Sequence, residues 1–315
     1  MKANTKSNLK VNKKRKRADF RDNVEMLFLT LPVVVYIFIM NYIPMAGLVI
    51  AFKDYRYNKG IFGSEWVGLK NFRYFFESQD LYRITRNTVL YSASFIVLGI
   101  VAGVVIALLL FEVKKKFAIK TYQTMMMLPN FLSWVIVSYI AYILLCPTYG
   151  VFNQIIAIFG GEGIDWYSNP AFWPPILIVF NIWKNVGMNA IMFYASLMAI
   201  DNSLFEAATI DGATKLQQSR YISMPSLVPL MTILLILNIG NIFRGDFGLF
   251  YQLPRDIGVL YPTTDIIDTY IYRGLRTGSL SATSAVGMVQ SVVGLIMVLA
   301  TNAIVKKISP ENSMF

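Results

Sequence analysis

The sequence predicts an all-α, polytopic membrane protein with six transmembrane helices. Three observations carry that prediction. Hydrophobic residues make up 56% of the 315 and charged residues only 15%, where an ordinary soluble domain carries about 25% charged residues. The charges come in short blocks, and the runs Met26–Phe52, Asn87–Phe111, Thr121–Gly161 and Leu280–Val305 contain no Asp, Glu, Lys or Arg at all. About 20 apolar residues suffice to cross the hydrocarbon layer as a helix. Basic residues are also distributed unequally between alternate connecting segments, as multi-pass insertion requires.

The spans fall near 26–52, 88–111, 121–145, 173–200, 226–243 and 281–305. The first is too long for a secretory signal core of about 7 to 15 residues, and no small-residue cleavage pattern follows it, so it reads as a retained helix. Between spans one and two, Trp66 to Arg86 mixes charge with Trp66, Leu69, Phe72, Phe75 and Phe76, which suits a helix lying on the outer membrane surface. Span two carries Gly99 and Gly103, a small-residue pair that lets another helix approach, in this chain or in a partner. Span four opens on Pro174 and Pro175, residues suited to a helix's first turn. Span five follows Pro225 and is short.

If the N-terminal tail lies inside, an even span count places the C-terminus inside too. The segments 1–25, 112–120, 201–225 and 306–315 are then cytoplasmic and hold 17 Lys and Arg in 69 residues, against 11 in the 99 residues of the opposite loops. Three parts follow: a basic cytoplasmic tail over 1–25, a six-span membrane domain over 26–305 and a short cytoplasmic C-terminus over 306–315. The location is the cytoplasmic membrane, multi-pass. The net charge of +11 then anchors the chain. The cluster Lys13 to Arg17 abuts the first span, so membrane lipid is its partner and no nucleic acid is implied.

Composition excludes several chemistries. Cys146 is the lone cysteine and there is no histidine, which removes intrachain disulfides, His-based acid–base catalysis and most zinc sites. No catalytic or metal-ligating set stands out. No Gly-x-x-x-x-Gly-Lys-Ser/Thr stretch is present, so the chain has no phosphate-cradling loop of its own. No Asp or Glu falls within any span, which argues against an ion-coupled secondary transporter.

The most informative segment is the loop 201–225. Ser203 and Glu206 form a Ser-x-x-Glu capping box that predicts a helix start, and Asp211-Gly212 predicts that this helix is short. Glu206-Ala207-Ala208, then Gly212, Ile222 and Pro225, resemble the signature loop of binding-protein-dependent permeases, with Met224 where leucine is usual. The wording Glu-Ala-Ala-x-Ile-Asp-Gly-Ala resembles the sugar-importer, maltose-type version. Val67-Gly-Leu-Lys-Asn-Phe72, Asn87-Thr88 and Asp268-Thr-Tyr-Ile-Tyr272 extend the likeness, and the chain looks similar to permeases for oligosaccharides released from polysaccharides. The resemblance implies a type I permease fold of the ATP-binding-cassette (ABC) importers and no enzymatic role. It implies that Glu206, Ala207, Ala208, Asp211 and Gly212 dock on an ATPase subunit. It implies a second homologous permease, two ATP-binding subunits that hold ATP and Mg, and an extracellular solute-binding protein or lipoprotein, with an oligosaccharide as cargo. A permease for a peptide, an amino acid or phosphate is the alternative within the family.

Polar residues inside the spans are candidates for the substrate path. Lys184 lies midway along span four beside Trp183, and Asn181 and Asn185 share one helix face. Lys184 either faces the path or extends its ammonium toward the membrane surface. Asn238 and Asn241 in span five, and Trp134, Ser138 and Tyr142 in span three, also share faces, and Gln290 stands alone in span six. Each of these lines a cavity or bonds between helices.

Overall fold

A computed structural model of the chain describes residues 26–308. The chain divides into two units, 1–71 and 72–315. The basic tail 1–25 and most of the C-terminal segment lie outside the described residues.

In the first unit, α1 (Met26–Phe52) is apolar and exposed along nearly its whole length. Its winding changes around Pro44, whose missing N–H removes one helical bond. Beyond it, β1 (Lys53–Asp54) pairs antiparallel with β2 (Glu65–Trp66), across a turn that contains the short helix α2 (Gly60–Gly63). The Asn71 amide donates to the Ala51 and Lys53 carbonyls at 2.8 and 3.0 Å and closes the unit.

The surface segment expected over 66–86 is divided. α3 (Lys70–Phe76) ends before α4 (Asp80–Phe111) begins, so α4 starts eight residues ahead of the expected span and carries Arg83 and Arg86 on its first turns. α4 packs along α8 (Trp173–Met198). A Cβ on Gly103 would stand 2.9 Å from the Asn189 Cβ and 3.2 Å from the Phe193 ring, so of the Gly99–Gly103 pair it is Gly103 that serves close packing within this chain.

Span three is not one straight helix, as expected over 121–145, but a broken one. α5 (Lys116–Met127) leads through a tight turn, Leu128–Phe131, into α6 (Trp134–Leu145), and the two arms are bent by 98°. Pro129 removes a helical donor. Leu132 and Ser133 are extended, and the Ser133 hydroxyl accepts from the Ile136 N–H at 3.3 Å, starting α6 as a new helix. With the bent pair counted as one, six segments among the described residues are long and apolar enough to cross a membrane.

After α6, α7 (Val151–Ile158) leads toward α8, which begins with Pro174 and Pro175 in its first turn, as expected. The loop that follows holds α9 (Asn202–Ile210) and α10 (Lys215–Gln218), and α11 (Met224–Gly240) comes after it. The segment 244–280 is folded into α12 (Phe247–Gln252), α13 (Tyr261–Thr264) and α14 (Ile267–Arg276). α15 (Leu280–Ile308) completes the set. Two of the apolar clusters in this unit pack around α8. One joins α6, α8 and α12 through Val137, Trp173, Leu177 and Leu249; the other joins α4, α8 and α11 through Val104, Phe193 and Leu227.

Candidate functional site

Two features stand out: a polar cavity among the long helices, and an exposed two-helix loop at 201–218. The cavity holds about 350 Å³ between α4, α8, α11 and the break of span three. α8 contributes Asn181, Asn185 and Asn189, spaced by four residues and therefore stacked on one face. α11 contributes Asn238, the turn after it contributes Asn241, and the span-three break contributes Asn130.

These amides are only partly used by the protein. The Asn238 and Asn241 N–H groups donate to the Leu234 and Leu237 carbonyls of their own helix, at 2.6 and 3.0 Å. Asn185 likewise donates to the Asn181 carbonyl at 3.0 Å, and its side-chain oxygen accepts from Asn130 at 3.3 Å. An amide offers two donors and an acceptor oxygen with two lone pairs, so each of these keeps hydrogen-bonding capacity for a polyhydroxylated solute. Asn238 and Asn241 bond within their own helix rather than between helices.

The structure thus brings Asn181, Asn185, Asn238 and Asn241 together and places the other four path candidates elsewhere. Trp183 faces an apolar groove with Ile140, Leu144, Val179 and Phe180 on another side of α8. Tyr142 stacks under the Arg255 guanidinium at 4.3 Å, in the packed cluster of α6 and α8. Lys184 is 7% exposed. Its ammonium neither extends to a surface nor lines the cavity; it donates to the carbonyls of Pro129, Asn130 and Leu132 at 3.3, 2.8 and 2.6 Å. It also stands 5.3 Å from the Trp134 ring, whose Nε1–H donates to Asp246 at 2.8 Å. Gln290 is not isolated: its amide donates to the Phe243 carbonyl at 2.6 Å and to Asp268 at 3.3 Å.

Sequence reasoning missed Asn130, Asn189, Arg244 and Asp246, all on the cavity wall. Asn189 had a signal, because it continues the four-residue spacing of Asn181 and Asn185.

In the 201–218 loop the expected capping box is displaced. Asp201 is the N-cap of α9, its carboxylate accepting from the Ser203 N–H at 2.9 Å, a bond that holds the carboxyl below its usual range. Ser203 lies inside the helix. The reciprocal box belongs to α10, where Thr214 accepts from the Gln217 N–H and Gln217 accepts from the Thr214 N–H. Glu206 and Ala207 are exposed, and Ala208 is half-buried. Among the described residues Glu206 has no ion-pair partner.

Asp211 and Gly212 end α9 with two bonds that satisfy its last carbonyls: Ala213 N–H to Ala208, 2.9 Å, and Gly212 N–H to Thr209, 3.1 Å. Gly212 has φ of +79°. The loop is tied to its surroundings by Phe205 against Phe111 on α4, with ring centres 5.4 Å apart, and by Lys215 to Glu112 at 3.5 Å. Leu204, Ile210 and Leu216 of the same loop remain exposed.

A multi-pass helical bundle around a polar cavity is the architecture of a membrane transport protein. A family model described as the binding-protein-dependent transport system inner membrane component matches residues 96–310, and the chain belongs to that family. It is a transport permease and not an enzyme. The chain is 37% identical to the polygalacturonan/rhamnogalacturonan transport system permease protein YteP of Bacillus subtilis (strain 168), over 91% of this chain and 89% of the relative. It is similar to a chain in the crystal structure of a bacterial ABC transporter involved in import of the acidic polysaccharide alginate. The TM-score is 0.85 at 32% identity, over 94% of this chain and 99% of that one. A crystal structure of the alginate transporter with an alginate pentasaccharide-bound periplasmic protein gives 0.83 at 32% identity, over 93% and 97%.

Proposed function

We propose that this chain is a permease subunit of an ATP-driven importer, and that an oligosaccharide passes through the asparagine-lined cavity into the cytoplasm. The observation that carries the reading is that cavity. Six amides converge on it, and most of their bonding within the protein is to backbone of their own or a neighbouring helix. The relatives support a carbohydrate cargo, since one is named for transport of polygalacturonan and rhamnogalacturonan and the other for import of the acidic polysaccharide alginate.

The complete importer then comprises a second homologous permease, two ATPase subunits with ATP and Mg, and an extracellular binding protein or lipoprotein. The basic-residue asymmetry supports cytoplasmic N- and C-termini, with the loop 201–225 on the ATPase side. Glu206, Ala207, Ala208, Asp211 and Gly212 form the docking surface, with the exposed side chains of Leu204, Ile210 and Leu216 of the same loop. ATP-driven movement of that loop reaches α4 through the Phe205–Phe111 contact.

The test is ATP-dependent uptake by the complete importer in proteoliposomes, with its binding protein supplied. Labelled oligosaccharides should accumulate, and peptides, amino acids or phosphate in excess should not compete. Accumulation of one of those solutes, with no sugar uptake, overturns the reading.

A further inference from the structure

We infer that Arg244 makes the cavity selective for acidic oligosaccharides, its guanidinium pairing with the carboxylate of a uronate ring as the chain passes. The inference rests on the sugar reading above and adds the chemical class of the cargo.

Arg244 sits in the turn that closes α11, where its N–H donates to the Asn241 carbonyl at 2.8 Å. Its position is a junction. Arg244 and Asn241 line the main cavity, and both also line a second one of about 240 Å³, bounded by Gly240, Phe243, Gln290 and Ser291. Arg244 thus stands on the wall of both cavities. Arg244 is exposed, and among the described residues it has no ion-pair partner.

Two carboxylates lie close in the chain or in space, and both are engaged by other donors. Asp246 accepts from Trp134 Nε1 at 2.8 Å and from the Leu249 N–H at 3.2 Å. Lys184, across the Trp134 ring, offsets its charge. Asp268 accepts from the Gly245 N–H at 2.7 Å and from Gln290 at 3.3 Å. Among the described residues the Arg244 guanidinium makes no side-chain hydrogen bond or ion pair, although Asp268 lies near enough to feel its charge. The other polar lining groups are Ser92 and the neutral amides, which suit hydroxyls of any sugar and give no preference for charge.

A guanidinium presents its N–H groups in a planar fork that matches a carboxylate bidentately. A single guanidinium matches a monoanion such as a uronate better than a phosphate dianion.

The test compares wild type and Arg244→Gln in the complete importer in proteoliposomes, with one binding protein throughout. The probes are an oligogalacturonate, the same oligomer methyl-esterified, and a sugar phosphate as competitor. The binding protein contributes equally to both importers, so the change in the acid-to-ester uptake ratio reads the permease. The ratio should fall about tenfold in Arg244→Gln, the size of one lost charge-assisted bond, while ester uptake is retained. An unchanged ratio overturns the inference. So does loss of the second permease from the purified variant, which would place Arg244 in the subunit interface. Competition by the sugar phosphate equal to that of the free acid overturns the carboxylate assignment. Failure of wild type to take up the oligogalacturonate while a neutral oligosaccharide accumulates overturns the inference and leaves the sugar reading standing.

Discussion

The Lys184 ammonium on α8 donates to the Leu132 carbonyl, 52 residues earlier, at 2.6 Å. With the Pro129 and Asn130 carbonyls it fills all three of its donors. Those carbonyls belong to the break of span three, where the helical ladder is interrupted and its oxygens need partners. A buried cation and an interrupted helix thus satisfy each other, and the arrangement holds Asn130 on the cavity wall.

Lys184→Met should therefore weaken the break rather than alter cargo choice. It removes the Lys184 donor from the part-buried Asn130 and Leu132 carbonyls, at up to about 1–3 kcal/mol for each group left unsatisfied, while the Pro129 carbonyl keeps the Leu132 N–H at 3.2 Å. The thermal midpoint of the purified importer should fall, and uptake should drop equally for every accepted sugar. A full-strength midpoint with a changed sugar preference would return Lys184 to the substrate path.

Gly187 gives a sharper packing test. A Cβ there would stand 2.0 Å from the Met126 carbonyl oxygen, a backbone atom that cannot step aside. At Gly99 the nearest atom would be the Asn189 amide nitrogen at 3.5 Å, an ordinary contact. Helix propensity alone favours alanine over glycine by up to about 1 kcal/mol. Gly99→Ala should therefore be neutral or stabilising, whereas Gly187→Ala should lower the thermal midpoint. Equal behaviour of the two variants would mean α5 and α8 separate without penalty.

Asp265 is the buried centre of the 244–280 segment. It is 1% exposed and lies between Arg83 at 3.1 Å and Arg273, and it accepts from the Thr269 hydroxyl at 2.8 Å. Removing one member of a buried pair costs about 3–5 kcal/mol, because the other charge is left uncompensated. Asp265→Ala should therefore expose the 244–280 segment to protease. Resistance equal to that of wild type would show that the arginines find other partners.

The six spans were legible because long uncharged runs leave few alternatives to a membrane helix. Pro174, Pro175 and Gly212 were legible because each has one backbone use at its position. The break at Pro129–Ser133 was hidden inside such a run: hydropathy records that no charge is present, not that the helix turns. Lys184 was legible as an anomaly, but its partners lie 52 to 55 residues away and only the fold joins them. Asn181, Asn185, Asn238 and Asn241 could be picked out in pairs, while Arg244 and Asp246 fall just past the end of a span, where charges look unremarkable. In the loop, Ser203 and Glu206 had the right spacing for a capping box, but Asp201 two residues earlier takes the cap.

That displacement of the cap separates two effects in the loop that would otherwise be confounded. Asp201→Ala removes the N-cap of α9 and should fray it, at about 0.5–2 kcal/mol. Glu206→Ala leaves the cap intact, and alanine is a better helix former. Any loss of coupling in Glu206→Ala must then come from the exposed carboxylate rather than from the fold of the loop. Gly212 has φ of +79° and nothing within 4 Å of a built Cβ, so a substitution there is penalised through the backbone and not by a clash. Asparagine tolerates this region, alanine pays roughly 1–2 kcal/mol, and a β-branched residue suffers most. Coupling should decline in the order Gly, Asn, Ala, Val at 212. The measurement is ATPase stimulation by sugar-loaded binding protein in the complete importer, with subunit co-purification as the control for assembly. Glu206→Ala and Gly212→Val should lose stimulation and uptake together while the six spans still insert. If stimulation survives in both, the exposed loop is only a connector, and the docking role assigned to it falls.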